Sequence, residues 1–174
     1  MAQYLGPLEL RGNQWVIGDP ARGDGLSVVL TPEGLEHRRR DEAAPLLAVE
    51  WSDLTVLRVR AAHRRWQGTA GGGFVGAFQP GVDTGRDGCS LHGVLRRPRE
   101  PWSVRYTHHE RRYTGGHVIA LKALFSRLTA AKALDRLGNG EWLGTAVERL
   151  SSYSSWSATK GDLLVEETIR SLGA

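Results

Sequence analysis

The chain has 174 residues, 23 of them basic and 19 acidic, for a formal net charge of +4. That length suits one domain, or one domain with a helical extension, and is enough to bury a core without staples. A single cysteine, Cys89, excludes an internal disulfide and a thiolate zinc cluster, and no run approaches the ~18 uninterrupted apolar residues of a membrane span.

Met1 to Leu10 alternates polar and apolar residues and lacks a basic leader ahead of an apolar run, so the expectation is no secretion signal and a cytoplasmic protein. The basic residues are nearly all arginine. Beside abundant alanine, glycine and leucine, that bias is as much the mark of GC-rich coding as of a face selected for anions.

In chain order, Tyr4 to Ile17 predicts two short strands around an Arg11-Gly12-Asn13 turn, with Leu8, Leu10, Trp15 and Ile17 as apolar candidates. After a polar loop over 18–25, Leu26 to Leu30 is a β-branched run that stops at Thr31-Pro32-Glu33-Gly34. There proline presets the turn and glycine tolerates its exit. Leu35 to Arg39 is the returning strand. Leu46 to Trp51 predicts a further strand with Leu47, Val49 and Trp51 on one face. Ser52-Asp53 turns the chain, and Thr55 to Arg60 resumes it with Leu57 and Val59 opposed to Arg58 and Arg60.

Gly68 to Gly88 is glycine-rich and reads as a loop, or as one short strand over Phe74 to Phe78. Cys89 to Leu95 alternates again, Arg96 to Pro101 is a proline-interrupted loop, and Trp102, Val104 and Tyr106 mark a final strand.

From His117 the period changes. Val118, Leu121, Leu124, Phe125, Leu128, Ala131, Leu134 and Leu137 recur at three and four, which predicts an amphipathic helix over 117–137. Thr114 stands ready to cap it and Gly138-Asn139-Gly140 to stop it. Glu141 to Leu150 predicts a second helix with Trp142, Val147 and Leu150 inward. The serine-rich segment 151–157 reads as a linker whose Tyr153 and Trp156 dock. Leu163 to Leu172 predicts a last helix, capped by Asp162, with Val165, Ile169 and Leu172 on one stripe.

Several motifs carry less than their letters suggest. Gly71-Gly72-Gly73-Phe74-Val75-Gly76 matches the dinucleotide fingerprint, but Pro80 and Gly81 follow too soon for the helix that the fingerprint requires. Arg22-Gly23-Asp24 spells an adhesion tripeptide in a chain expected to stay inside the cell. His108, His109 and Glu110, with His117 nearby, form the one histidine cluster. Adjacent histidines on a strand point to opposite faces, so solvated loop histidines are the expectation, with a metal-dependent enzyme as an alternative reading. Cys89 and His92 have the spacing of half a zinc knuckle without a second half. No serine stands in a nucleophile elbow.

The arginines are the candidate binding residues. Arg58, Arg60, Arg64 and Arg65 occupy a stretch free of acids with Trp66 among them, and Arg96, Arg97 and Arg99 form a second group. Brought together, they could hold phosphates through bidentate guanidinium contacts while Trp66 stacks on a base. A solvated outer sheet face is the alternative.

Three features resemble bacterial pleckstrin-homology-like domains: the strand–turn–strand unit with "TPEGL" at its bend, the "VEWSDLTVLRV" segment (Val49 to Val59), and a helix from His117 placed to plug the open end of a barrel. The likeness covers about residues 5–137. It implies an α+β fold, an antiparallel β-barrel or strongly bent sheet closed by a C-terminal amphipathic helix, with further short helices in the tail. It also implies a non-enzymatic module for proteins, peptides or anionic head groups. Only Arg11 stands in the first turn, where lipid-binding members carry their basic residues.

The expectations are therefore a β-rich domain with its closing helix over 1–137 and a helical tail over 138–174. The function expected is a non-enzymatic intracellular interaction or regulatory module that binds a protein or peptide, or associates with itself through the tail, with no cofactor and no bound metal. A nucleic-acid-binding protein using the arginine groups is the alternative.

Overall fold

The computed structural model describes residues 3–62 and 89–173. Among these residues nine strands precede three α-helices: β1 (Tyr4–Leu5), β2 (Leu8–Arg11), β3 (Gln14–Ile17), β4 (Ser27–Leu30), β5 (Gly34–Arg38), β6 (Leu47–Glu50), β7 (Leu54–Ala61), β8 (Cys89–Leu95), β9 (Pro101–Arg105), α1 (Gly115–Ala131), α2 (Gly140–Leu150) and α3 (Ala158–Ser171). The strands form two antiparallel sheets, one in the order β1-β2-β3-β4-β5-β6 and one in the order β7-β8-β9. The expected barrel is thus corrected: among the described residues the two sheets do not close. The division falls at a 3-10 turn, Trp51–Asp53, which turns the chain out of the first sheet before β7 begins.

Local chemistry explains the hairpins. In the Thr31-Pro32-Glu33-Gly34 turn the Thr31 hydroxyl accepts from the Gly34 N–H at 3.1 Å, and the Thr31 N–H donates to the Gly34 carbonyl at 2.8 Å. Gly12, at a φ of 60°, supplies the left-handed residue between β2 and β3. Beyond β9 the chain ties the sheets together: the Thr107 N–H donates to the Leu26 carbonyl, and the Thr107 carbonyl accepts from the Asp19 N–H, each at 2.8 Å.

The alternation read from β7 holds, with Leu57 and Val59 buried; in β8 Cys89 and Leu91 are buried as expected, but so is Ser90 of the opposite face. In β6 it does not, because Val49 and Trp51 are buried while Leu47 is exposed. Trp51 turns in through the 3-10 turn, and its indole N–H donates to the Thr31 carbonyl at 2.9 Å.

Thr114 caps α1 as expected, its hydroxyl accepting from the His117 N–H. The helix stops at Ala131 rather than at 137. Lys132 takes left-handed dihedrals (φ 56°, ψ 36°), and the Lys132 and Ala133 amides donate back to Thr129 and Leu128. Leu134 and Leu137 still reach the core, but from a separate 3-10 turn, Leu134–Gly138. Asn139 caps α2. Ser157, not Asp162, caps α3, which starts at Ala158, five residues before the predicted Leu163.

One buried cluster holds Leu5, Leu8, Ile17 and Leu35 from the first sheet, Leu57 and Leu91 from the second, and Leu121, Leu124, Phe125 and Leu128 from α1. Trp142, Leu143, Val147 and Leu150 of α2 and Val165 and Ile169 of α3 belong to the same cluster. Among the described residues no helix is long and apolar enough to cross a membrane. The segments Gly68 to Gly88, with its glycine motif and the Phe74 to Phe78 strand, lie outside the described residues.

Two glycines test this packing in opposite directions. A Cβ on Gly34 would stand 2.0 Å from the Val49 carbonyl oxygen, whereas one on Gly144, inside α2, would meet nothing closer than 3.8 Å. Gly34→Ala should therefore cost about 3 kcal/mol of stability through forced backbone movement. Gly144→Ala should add about 0.5–1 kcal/mol through helix propensity. Urea midpoints of the two variants check both signs.

Candidate functional site

The sheet register decides which predicted arginines meet. Arg58 and Arg60 point outward from β7; Arg58 pairs across to His92, and Arg60 to Ser90, which in turn faces Arg105 on β9. Arg58, Arg60, His92 and Arg105 therefore share one sheet face. Arg96, Arg97 and Arg99 sit in the β8–β9 connection, beyond the Leu54–Leu95 end of the ladder, while Arg60 lies beside its Ala61–Cys89 end. The two groups occupy opposite ends of the sheet rather than one patch. Arg64, Arg65 and Trp66 lie outside the described residues. The Arg38-Arg39-Arg40 run is locally engaged, with Glu36, with Glu42 and with the Pro20 carbonyl respectively.

Arg96 stands instead on the rim of a cleft of about 440 Å³ that runs between the start of β7 and the C-terminal end of α1. Trp51, Leu54, Ala130 and Leu134 supply apolar walls, and Lys132 and Asp135 join Arg96 at the edge. The polar groups of the walls already have partners. The Thr55 hydroxyl donates to the Val94 carbonyl at 3.0 Å, and Thr129 bonds both backbone groups of Leu57. Arg96 itself is held at two points: its N–H donates to the Asp53 carbonyl at 2.7 Å and its Nε to the Ser52 carbonyl at 3.0 Å. Neither terminal nitrogen of Arg96 has an acceptor among the described residues, and neither Lys132 nor Asp135 enters an ion pair there. Such a volume, with mostly apolar walls and a few fixed polar groups, is what small ligand sites have. Sequence reasoning named Arg96 but missed the rest of the cleft, because residues from three separate segments meet only after the helix has broken at Lys132.

The histidine cluster is the second candidate, and there the expectation of solvated loop residues is wrong. His108 is 6% and His109 2% exposed. Each ring nitrogen of His108 faces a backbone carbonyl, that of His109 or that of Ala62, and its ring stacks on Tyr113 at 4.1 Å between centroids. The His109 N–H donates to the Tyr113 hydroxyl at 3.0 Å, and its Nδ1 lies 2.8 Å from the same oxygen. Burial, then the nearby Arg111 charge, pushes the His109 pKa down to about 3. Burial raises that of the Tyr113 phenol.

Glu9 Oε2 lies 3.2 Å from His109 Nε2, close enough for an ion pair but not aligned for a hydrogen bond. The neutral imidazole is the state that its surroundings favour, since the Glu9 carboxylate is already gripped by Arg11 at 3.2 Å and Arg111 at 3.1 Å. Arg111 also donates to the Gly6 carbonyl and lies over the Tyr4 ring. Glu110 turns away to pair with Arg22 at 2.9 Å, and His117 bonds the Ser151 carbonyl. Cys89 is buried in the core while His92 faces outward and bonds Ser90, so the half-knuckle spacing spans both faces of β8. Among the described residues no three His, Cys, Asp or Glu side chains are grouped to hold a metal ion.

The lowered His109 pKa has a signed consequence. The unfolded chain takes up a proton near pH 6.5 that the folded chain refuses until about pH 3, so this contribution is full above pH 6.5 and fades as pH falls. Between neutral pH and pH 5 the loss should reach about 2 kcal/mol. Thermal melts across that range should show this slope, and His109→Gln should flatten it.

No family model matches the chain, and no curated protein or solved structure matches it.

Proposed function

We propose that the chain is a non-enzymatic intracellular interaction module, pleckstrin-homology-like in order, that receives a protein or peptide segment in the cleft beside Arg96. The observation that carries this is the cleft itself: about 440 Å³, apolar-walled, with its wall hydroxyls already bonded and its rim charges unpaired. A site whose walls need no rearrangement loses little on binding, which suits recognition of a segment. Two antiparallel sheets followed by a helix support the pleckstrin-homology-like reading. The histidines that would serve an enzyme are engaged with backbone carbonyls and Tyr113 instead of facing a ligand. The single thiol, which leaves no internal disulfide to form, supports a cytoplasmic location.

The test is to block the cleft. Ala130 is exposed on α1 and borders the cavity, so Ala130→Trp fills it without entering the core. Segments selected by the wild-type protein from a displayed library of random peptides should bind this variant at least about tenfold more weakly, the equivalent of one good hydrogen bond or less. Equal binding by a variant of unchanged melting temperature would place the site elsewhere.

A second reading, nucleic-acid binding, draws on a different observation. Among the described residues, the outward positions of β7, β8 and β9 carry Arg58, His92 and Arg105, within a width of roughly 10 Å. Phosphate contacts made there would weaken steeply with salt. Retention on heparin at moderate salt, reduced by Arg58→Ala with Arg105→Ala, is the result that this reading expects; flow-through at low salt removes it.

A further inference from the structure

We infer that the segment received by the cleft is acidic: an Asp or Glu carboxylate lies in the fork of Arg96 while a neighbouring apolar side chain enters between Trp51, Leu54 and Leu134. This rests on the cleft being the binding site and adds the chemistry of its occupant.

Three observations point to it. Arg96 is oriented before any ligand arrives, because its Nε and its backbone N–H are both bonded, to the Ser52 and Asp53 carbonyls. The two terminal nitrogens that remain form the planar donor pair that suits a carboxylate, and no group of the described chain occupies them. The rim is also electrically one-sided. Arg96 and Lys132 stand against Asp135 alone, none of the three in an ion pair, so the cleft carries one uncompensated positive charge. Finally, the cleft is not a closed cup. Ala130 also borders a second groove, of about 360 Å³, that continues past Ala131 to Ile169 and Arg170 between α1 and α3. A path over two methyl-sized side chains, from the Arg96 end to Ile169, fits an extended segment better than a compact metabolite. In the second groove the charges are already matched, with Arg127 on Asp162 and Glu166 and Arg170 on Glu166, so the anion belongs at the Arg96 end.

The experiment selects binders from a displayed random-peptide library and measures them against wild type, Arg96→Ala, Arg96→Lys and Ala130→Trp, with melting temperatures as a control for folding. Arg96 is exposed in a turn, so its variants should fold. The expected result is a consensus with an acidic residue beside an apolar one. Affinity should fall about tenfold in Arg96→Ala and be only partly restored in Arg96→Lys, because lysine keeps the charge but loses the fork. Replacing the peptide's acid by its amide should abolish the difference between wild type and Arg96→Ala. A consensus without acids that is still lost in Ala130→Trp would overturn the acidic occupant and leave the cleft standing. Acidic binders indifferent to Arg96→Ala would overturn the Arg96 fork. The absence of any binder sensitive to Ala130→Trp would overturn the cleft and this inference together.

Discussion

Helix α1 is buried on two sides, and the rest of the molecule is arranged to make that possible. A helix lying on a protein surface needs an apolar stripe on one side. Here Ala120, Leu121, Leu124, Phe125 and Leu128 are all inaccessible to solvent, because β7 covers one flank and α3 the other. The β7 contact is fastened by Thr129, whose hydroxyl accepts from the Leu57 N–H at 3.2 Å and donates to the Leu57 carbonyl at 3.3 Å. That gives partners to backbone groups of a strand with only one neighbour in its sheet, the kind of edge that otherwise invites pairing with another chain. The contacts with α3 and with the segment that leads into it depend on glycine. A Cβ on Gly161 would come within 2.7 Å of Ile119, and one on Gly116 within 2.2 Å of the Tyr153 carbonyl. The Arg127–Asp162 pair on the same seam is exposed and adds little beside this packing.

The way α1 ends creates the cleft. Its last turn closes with the paired bonds of a Schellman motif, Ala133 N–H to Leu128 and Lys132 N–H to Thr129, but with lysine at the left-handed position where glycine is usual. An L-residue there costs about 1–2 kcal/mol. What offsets it is the burial of Leu134 and Leu137, which a straight helix would have carried away from Trp51 and β5. Gly138 completes the manoeuvre by passing against the Thr31 carbonyl and the Trp51 indole with no room for a side chain. The space left between the broken helix and the start of β7 is the cavity beside Arg96.

This is also where the sequence stopped being legible. Strand positions came from period-two alternation and turn chemistry, both local, and they survive in β3, β4, β5, β7, β8 and β9 almost residue for residue. The apolar period ran on from 117 to 137 because Leu134 and Leu137 are truly buried, and no glycine announced the break at Lys132. Ser157 and Asp162 are both good N-caps, and nothing local chooses between them. Among the described residues the strands part into two sheets at the 3-10 turn Trp51–Asp53, which no local pattern announced. The arginines were visible as residues, but only the register could put Arg60 and Arg96 at opposite ends of a ladder. The histidines misled for a related reason: polar letters in a loop read as solvated unless their partners, Ala62 and Tyr113 here, are known to be close.

The polar clusters around Glu9 and Arg96 differ in a way that bears on function. Around Glu9, charge is brought in and neutralised: two arginines grip one carboxylate, Arg11 also reaches Asp19, and His109 is kept neutral behind them. Such a network has its charges already matched, although Arg11 Nε and His109 Nε2 make no hydrogen bond within it. Around Arg96 the bonds are spent on position alone. Backbone carbonyls fix the side chain and leave its terminal donors to solvent, at a rim where water screens the charge until something displaces it. Holding a guanidinium open in this way contributes little to the folded chain by itself, since an exposed charge bonded to carbonyls is worth no more than ordinary surface polarity. Its gain comes only when an acceptor arrives together with an apolar group that expels water from Trp51 and Leu54, so the two halves of such a ligand would reinforce each other across one cleft.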